Sequence, residues 1–513
     1  MPSAAKVKLS KKELLVAFCL TTLVYLIFSY GAIRSPDSEI MFRTSLALAD
    51  SGHFYASEQL QWKEFGLPKG KDGNRYSIFG PAQAIAAVPL IKLSQIINKS
   101  KWYQSYLNIV PTSHYVPGGI MSFLRGETAT PAKEHALRFW VCLFYVFVSS
   151  ASVIVFLKIM IFFTASRLIL YLIGNMFAFG TLVFAYALTF FSEPLALLFV
   201  LLSFLQLLRY STAFKPNRTL LAAGLFLGLA VATHISAILF APFFLVIPLI
   251  KQEKELQRYE WIKKLFLFSS LFLLVIACIG LYNYLRFGSF LETGRTADPH
   301  LRYAFFTLPF EGLLGLLLSP GKGVIWFCPA VILGLAFWRS FHDQYKSLSI
   351  LILFMIAFRI IFISCRTDWH GGFCLGPRYL VMAIPFFLIP LGPAFEKMKR
   401  KKAEIILFLV TSVCVLQELY FNTGEVFSFL HFQKFKYSQM GINVFENNLL
   451  YFNLHLSPVL HILEGKTGPF LMQNTELTNL NIWLFGSAVF LTLFAGLFII
   501  LKYKYKDNLN KKT

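Results

Sequence analysis

The sequence predicts an all-α protein, a polytopic transmembrane helical bundle. Three observations carry that prediction. Hydrophobic residues make up 56% of the chain and charged residues only 14%, against about a quarter charged in soluble domains. Apolar runs long enough to cross a bilayer recur along the chain. Lys and Arg gather at the ends of those runs. In a soluble protein a net charge of +22 would suggest nucleic acid. Here the placement of the charge is first a matter of membrane topology, so membrane lipids are expected as partners and nucleic acid is not. A phosphate-bearing lipid substrate is a second source of that bias.

Lys6, Lys8, Lys11 and Lys12 precede the first run, Leu14 to about Tyr30. It is long for a signal-peptide core and no small-x-small site follows it cleanly, so a retained span at about 13–33 is expected, starting on the cytoplasmic side. Ser35-Pro36-Asp37-Ser38-Glu39 then opens a helix, with Ser35 as N-cap, Pro36 at the first helical position and Gly52 as stop. Ile40, Ala47 and Leu48 can share a face, with Arg43 and Asp50 elsewhere, so the helix is moderately amphipathic and expected along the membrane surface. Asp37 and Glu39 sit where the chain leaves the bilayer, although acids also simply suit a helix N-terminus. Residues 79–97, interrupted by Pro81 and Pro89, either cross the membrane or dip into it, and 98–134 is a polar, aromatic-rich loop.

Further spans are expected at about 136–157, 168–189, 193–210, 219–234, 236–250, 264–285, 322–341, 347–365, 378–396, 403–421 and 482–502. If 79–97 only dips, about twelve spans result and Arg167, Arg209, Arg218, the Lys251–Lys264 stretch, Arg339, the Lys397–Lys402 run and the basic tail from Lys502 all lie inside. If instead 219–250 is one helix and 79–97 crosses, residues 98–218 invert. The organisation expected is a core over 1–421 with an external loop at 35–135, an external loop at 422–481, and a last span with a basic cytoplasmic tail over 482–513. Cys19, Cys142, Cys278, Cys328 and Cys414 lie in apolar runs, while Cys365 and Cys374 bracket a polar loop and could pair in an oxidising compartment. No cysteine or histidine spacing suggests a structural zinc.

On the twelve-span topology the outward-facing polar residues converge. They include Asp37, Glu39, Arg43, His53, Tyr76, Glu193, His234, Arg286, Arg295, Asp298, His300, Arg302, Lys322, Arg366, Asp368, Trp369, His370 and Arg378. A transporter places its ionisable residues near mid-membrane on broken helices. Residues gathered at one interface suit an enzyme working on lipid-linked substrates.

Pro36-Asp37-Ser38-Glu39, the helix after it, Ala49-Asp50-Ser51-Gly52-His53-Phe54, and Arg75-Tyr76-Ser77-Ile78-Phe79-Gly80-Pro81 together resemble the first external loop of GT-C-class glycosyltransferases. The similar families are the protein O-mannosyltransferases, the bacterial aminoarabinose transferases and the Rgt-type lipopolysaccharide glycosyltransferases. Phe191-Ser192-Glu193-Pro194, Leu318-Ser319-Pro320-Gly321-Lys322-Gly323 with Cys328-Pro329, and Trp369-His370-Gly371-Gly372 with Gly376-Pro377-Arg378-Tyr379-Leu380 are looser matches in the same order. The resemblance implies a GT-C fold and transfer of a monosaccharide from a polyprenyl-phosphate donor to a lipid, lipopolysaccharide or protein acceptor. The site would face the periplasm or exterior of a bacterial inner membrane. It implies Asp37 as the catalytic acid/base residue. Glu39 is the candidate second acid, one position later than the common Asp-Glu pair, and where relatives carry a Lys before the prolines this chain has Phe79-Gly80-Pro81.

The chemistry leads the same way. A phosphate monoester, with its second pKa at about 6, leaves readily. The site then needs a cation for the developing charge and a carboxylate for the acceptor's proton, and a single displacement would invert the anomeric centre. Arg43 and Tyr76 would shape the site; Glu193, His234, Lys322, Arg366, Asp368, Trp369, His370 and Arg378 would contact sugar or phosphate. Each also has a plain structural role open to it: Glu193 as a helix opener, His234 in a turn, Arg366 and Arg378 as headgroup anchors, Trp369 in an interfacial belt. No cofactor is certain from the sequence, and Asp37, Glu39 and Glu193 could hold Mg or Mn through oxygen. The alternatives are a lipid or polysaccharide transporter and a non-catalytic scaffold of GT-C shape.

Overall fold

A computed structural model describes residues 2, 5–29, 31, 33, 35–56, 66–102, 104–105, 132–210, 216–250, 258–296, 306–372, 374–424, 426–442, 449–464 and 486–491. Asp298, His300, Arg302 and most of the expected 482–502 span lie outside these residues. Among the described residues every regular element is helical, and only isolated bridges join Tyr55 to Tyr76 and Lys69 to Arg75.

Helix α1 (Lys11–Phe28) opens on a capping box in which Ser10 Oγ accepts from Glu13 N and Glu13 accepts from Ser10 N. Helix α2 (Pro36–Ser51) begins on Pro36 and stops at Gly52 in the left-handed region, as its sequence signals predict. α3 (Pro81–Asn98) is one uninterrupted helix that keeps Pro89 inside it. There follow α4 (Ala132–Met160), α5 (Arg167–Phe179), α6 (Val183–Ala187), α7 (Glu193–Tyr210) and α8 (Pro216–Thr233). At His234 the backbone turns extended and a 3-10 helix (Ile235–Phe240) and α9 (Ala241–Val246) follow. The stretch 219–250 is therefore in two pieces, the shorter apolar helices Asn217–Thr233 and Ile235–Leu249. α10 (Arg258–Phe287), α11 (Pro309–Leu318), α12 (Val324–Phe327), α13 (Ala330–Ala336), α14 (Trp338–Gln344) and α15 (Lys346–Ser364) come next. A 3-10 helix (Arg378–Ala383) leads into α16 (Ile384–Leu388), α17 (Leu391–Lys397) and α18 (Arg400–Thr423), then α19 (Val426–Ser438), α20 (Leu449–Phe452) and α21 (Pro458–His461).

Six helical stretches among the described residues are long and apolar enough to cross a membrane: Leu137–Met160, Glu193–Tyr210, Tyr259–Phe287, Lys346–Ser364, Arg378–Lys397 and Arg400–Thr423. About twelve were expected. The difference has local causes. α1 carries Lys11, Lys12 and Glu13 in its first turn. The 168–189 stretch is divided at Gly180. The expected 322–341 span is three short helices, because Pro329 after Cys328 cannot continue the helix before it. Cys365 and Cys374 are both free, so the pairing open from the sequence is not made.

Packing holds the site-bearing helix starts in one place. α7 packs on α8 and α4, α8 on α10, and α2 on α3. A compact cluster of Met41, Phe42, Ala84, Ile91, Tyr145 and Phe190 ties α2, α3, α4 and the start of α7 together. Large apolar side chains such as Phe266, Leu273, Leu274 and Leu281 stay exposed on α10. That suits helices whose outer surface meets lipid tails, where packing rather than water exclusion drives association.

Candidate active site

A cleft opens where the starts of α2, α3 and α7 meet the ends of α8 and α10 and the 378–383 turn. Proline sets three of these helix starts, Pro36, Pro81 and Pro194, because its fixed φ suits the first turn and its missing N–H is not needed there. Gly80 makes the junction. A Cβ there would lie 2.0 Å from the carbonyl oxygen of Ala232, so α3 can begin against the end of α8 only with a glycine at this position.

Asp37 and Arg378 meet in this cleft. Arg378 Nη1 donates to Asp37 Oδ2 at 2.7 Å, and Arg378 Nε stands 3.6 Å from Glu193 Oε1. Glu193 Oε1 is also 3.7 Å from His234 Nε2. His234 Nδ1 accepts from the N–H of Ser236 at 3.2 Å, so a neutral ring carries its proton on Nε2, facing Glu193. Arg286, Asn283 and Arg295 add to the polar lining, while Phe79, Phe190, Phe191 and Ile279 supply apolar wall. The structure thus brings together Asp37, Glu193, His234, Arg286, Arg295 and Arg378 out of the residues singled out from sequence.

The others are placed elsewhere. Residues two apart on a helix point about 200° apart, so Glu39 turns away from the face that carries Asp37. Its carboxylate is fully buried and receives Arg138 Nε at 2.9 Å, Arg138 Nη2 at 2.6 Å and Arg43 Nε at 3.0 Å. Glu39 and Arg43 therefore join α2 to α4 and do not line the cleft. Tyr76 donates to Asp72 Oδ2 at 2.7 Å, and burial together with that bond pushes its hydroxyl up to about 12. Its ring meets the end of α10 at Phe287.

The 365–378 loop forms a second cluster beside the cleft. Arg366 holds Asp368 in a fork with contacts of 2.6 and 2.5 Å, and Arg295 approaches the same carboxylate at 3.7 Å. Burial opposes ionisation of Asp368, but the bonds and charge of Arg366, with Arg295, hold it down at about 2. Burial and the neighbouring Lys322 pull His370 down to about 3, against the pull of Asp368. Its neutral ring accepts from Gly372 N at 2.9 Å and stacks on Tyr451. Trp369 donates to Glu311 at 3.1 Å. Lys322 is buried and donates to the carbonyls of Gly372 and Cys374, each at 2.8 Å. Gly371 has φ +70°, and a Cβ there would lie 2.8 Å from Arg378 Cγ. The loop therefore braces Arg378 directly, while Lys322, Arg366, Asp368, Trp369 and His370 do not line the cleft.

A divalent cation held by Asp37, Glu39 and Glu193 does not fit this geometry, because Glu39 is turned away and the other two face the same guanidinium. Among the described residues no three His, Cys, Asp or Glu side chains cluster around a common point.

Two participants were passed over in the sequence. Gln83 lines the cleft from the first turn of α3, and its one signal is an amide in the otherwise apolar stretch 81–91. Arg359 is fully buried in α15 and donates to the carbonyl oxygens of Ser236 and Tyr379, clamping the turn after His234 to the turn that begins at Arg378. A lone arginine inside an apolar span was its signal.

No family model matches the chain, and no curated protein matches it. Solved structures similar to it include ArnT from Cupriavidus metallidurans bound to undecaprenyl phosphate, at 14% identity and a TM-score of 0.47, covering 79% of this chain and 64% of that one. ArnT from the same organism in the apo state matches at 13% identity and a TM-score of 0.47, covering 80% of this chain and 64% of that one. The chain thus spans 64% of the length of these solved chains.

Proposed function

We propose that this membrane protein transfers a monosaccharide from a polyprenyl-phosphate donor to a hydroxyl-bearing acceptor, with Asp37 as general base. The observation that carries this reading is the contact of Asp37 with Arg378 inside a cleft also lined by Arg286 and Arg295. Asp37 takes the proton of the acceptor hydroxyl as that oxygen attacks the anomeric carbon. The bond from the anomeric carbon to the phosphate oxygen breaks, and its electrons leave on polyprenyl phosphate. The developing charge falls to Arg378 and Arg295, and the starts of α2, α3 and α7 add their positive dipole ends. One displacement gives inversion at the anomeric carbon.

The remaining residues take supporting parts in this proposal. Glu39, Arg43 and Arg138 fix α2 so that Asp37 keeps its place. Asp368, Arg366, His370 and Lys322 hold the loop that braces Arg378. In this proposal the cleft faces the exterior of a bacterial inner membrane. The test is consumption of donor. Purified protein in proteoliposomes, given polyprenyl-phosphoryl sugars with a membrane lipid extract, should release polyprenyl phosphate and label one acceptor fraction. Donor that stays intact with every sugar in the panel would refute the proposal.

A further inference from the structure

Two buried acceptor atoms on cleft-lining side chains have no hydrogen-bond partner among the described residues: Gln83 Oε1 and Glu193 Oε2. Both residues are 1% exposed. The orientation of the Gln83 amide is fixed, because its Nε2 donates to the carbonyl of Phe190 at 2.9 Å and a carbonyl can only accept. The oxygen is therefore the atom left over. Arg378 Nε, a donor, is buried in the same cleft without a hydrogen-bond partner. Buried polar groups are normally satisfied, and an unmade bond costs free energy that a ligand can recover.

The kind of atom left over limits the kind of ligand. Two orphan acceptors call for a ligand that brings two donors. A phosphate diester has none, and neither has a polyprenyl chain. A sugar ring has several hydroxyls, each able to donate and to accept, and its apolar face suits the rings of Phe190 and Phe191 beside the two acceptors. We infer that the floor of the cleft between Gln83 and Glu193 seats the transferred sugar, and that Gln83 is a specificity-determining residue which accepts a hydrogen bond from a ring hydroxyl. Glu193 accepts from a second hydroxyl, and Arg378 Nε donates to a ring substituent. The phosphate then lies toward Arg295, at the open end of the cleft. This inference rests on the proposed polyprenyl-phosphate donor.

The test separates sugar from phosphate. Full-length protein in nanodiscs is titrated with polyprenyl phosphate and with polyprenyl-phosphoryl glucose, mannose and galactose of the same chain length. At least one sugar-bearing lipid should bind tenfold or more tighter than the bare lipid, about the worth of one to two good hydrogen bonds. Gln83→Leu should lose about tenfold for that lipid and stay within about twofold of wild type for bare polyprenyl phosphate, which also shows that the variant is folded. If Gln83→Leu does not fold, Gln83→Met and Glu193→Gln carry the same comparison. Equal affinity for sugar-bearing and bare lipids in wild type, or a full sugar preference retained in both the Gln83 and Glu193 variants, would overturn the sugar seat and leave the phosphate reading standing. Failure of every lipid, bare or sugar-bearing, to bind would overturn the donor reading itself and this inference with it.

Discussion

Asp37 and Glu39 show how two like residues on one helix can have unlike surroundings. Asp37 is partly exposed in the cleft and shares one oxygen with Arg378, whereas Glu39 is enclosed by Arg138 and Arg43. Removing one member of a buried ion pair costs about 3–5 kcal/mol, since the remaining charge is left without its counterion. Glu39→Gln should therefore lower thermal stability by that order, with little effect on turnover per folded molecule at low temperature. A large loss of turnover in protein that is still fully folded would contradict the structural part given to Glu39. Arg378→Lys keeps the charge but not the fork, so it can hold Asp37 or a phosphate but not both. It should lower turnover at least tenfold while leaving a measurable rate, and Arg378→Gln should abolish it, as initial rates in proteoliposomes would report.

Among elements, the 365–378 loop is the one whose chemistry can be read by pH. His370 ordinarily titrates near 6.5, and in the folded loop burial and Lys322 bring it down to about 3. Between those values the unfolded chain binds a proton that the folded chain does not, so stability rises with pH across that window and is lost as pH falls from about 6.5 toward 3. His370→Gln keeps an acceptor for Gly372 N–H and removes the titration, and should flatten the acid limb of a melting-temperature profile between pH 6.5 and 4. An unchanged limb would mean that the ring is not held neutral. Asp368, held at about 2, adds its own loss only below about pH 4. The clamp of Arg359 on the two turns that carry His234 and Arg378 belongs to the same scale. It is a contact between backbone carbonyls and one side chain, and its trace in the sequence is the lone arginine of an apolar run, which does not tell which turns it holds.

At the scale of the molecule, the signals legible in sequence were those with a local cause. The α2 boundaries followed from Pro36 and Gly52, the break at His234 from the apolar segments on either side, and Asp37 with Arg378 from motifs far apart in the chain. The span count was not legible, because hydropathy reads through Gly180 and Pro329 where the helices stop. Nor was the partition of the polar residues into a cleft and a bracing loop, which depends on which way each side chain turns. Both Cys365 and Cys374 are free, so a reductant should leave the melting temperature unchanged, and both thiols should react with a maleimide after denaturation. The most direct measurement is transfer of radiolabelled sugar from polyprenyl-phosphoryl donors into acceptor by wild type and Asp37→Asn, with donor binding followed in parallel. The substitution keeps shape and removes the base. Transfer lower by two or more orders of magnitude with donor affinity within a few fold is the result expected of a lost general base. Equal transfer by both proteins would contradict it and leave Asp37 as no more than a charge at the start of a helix.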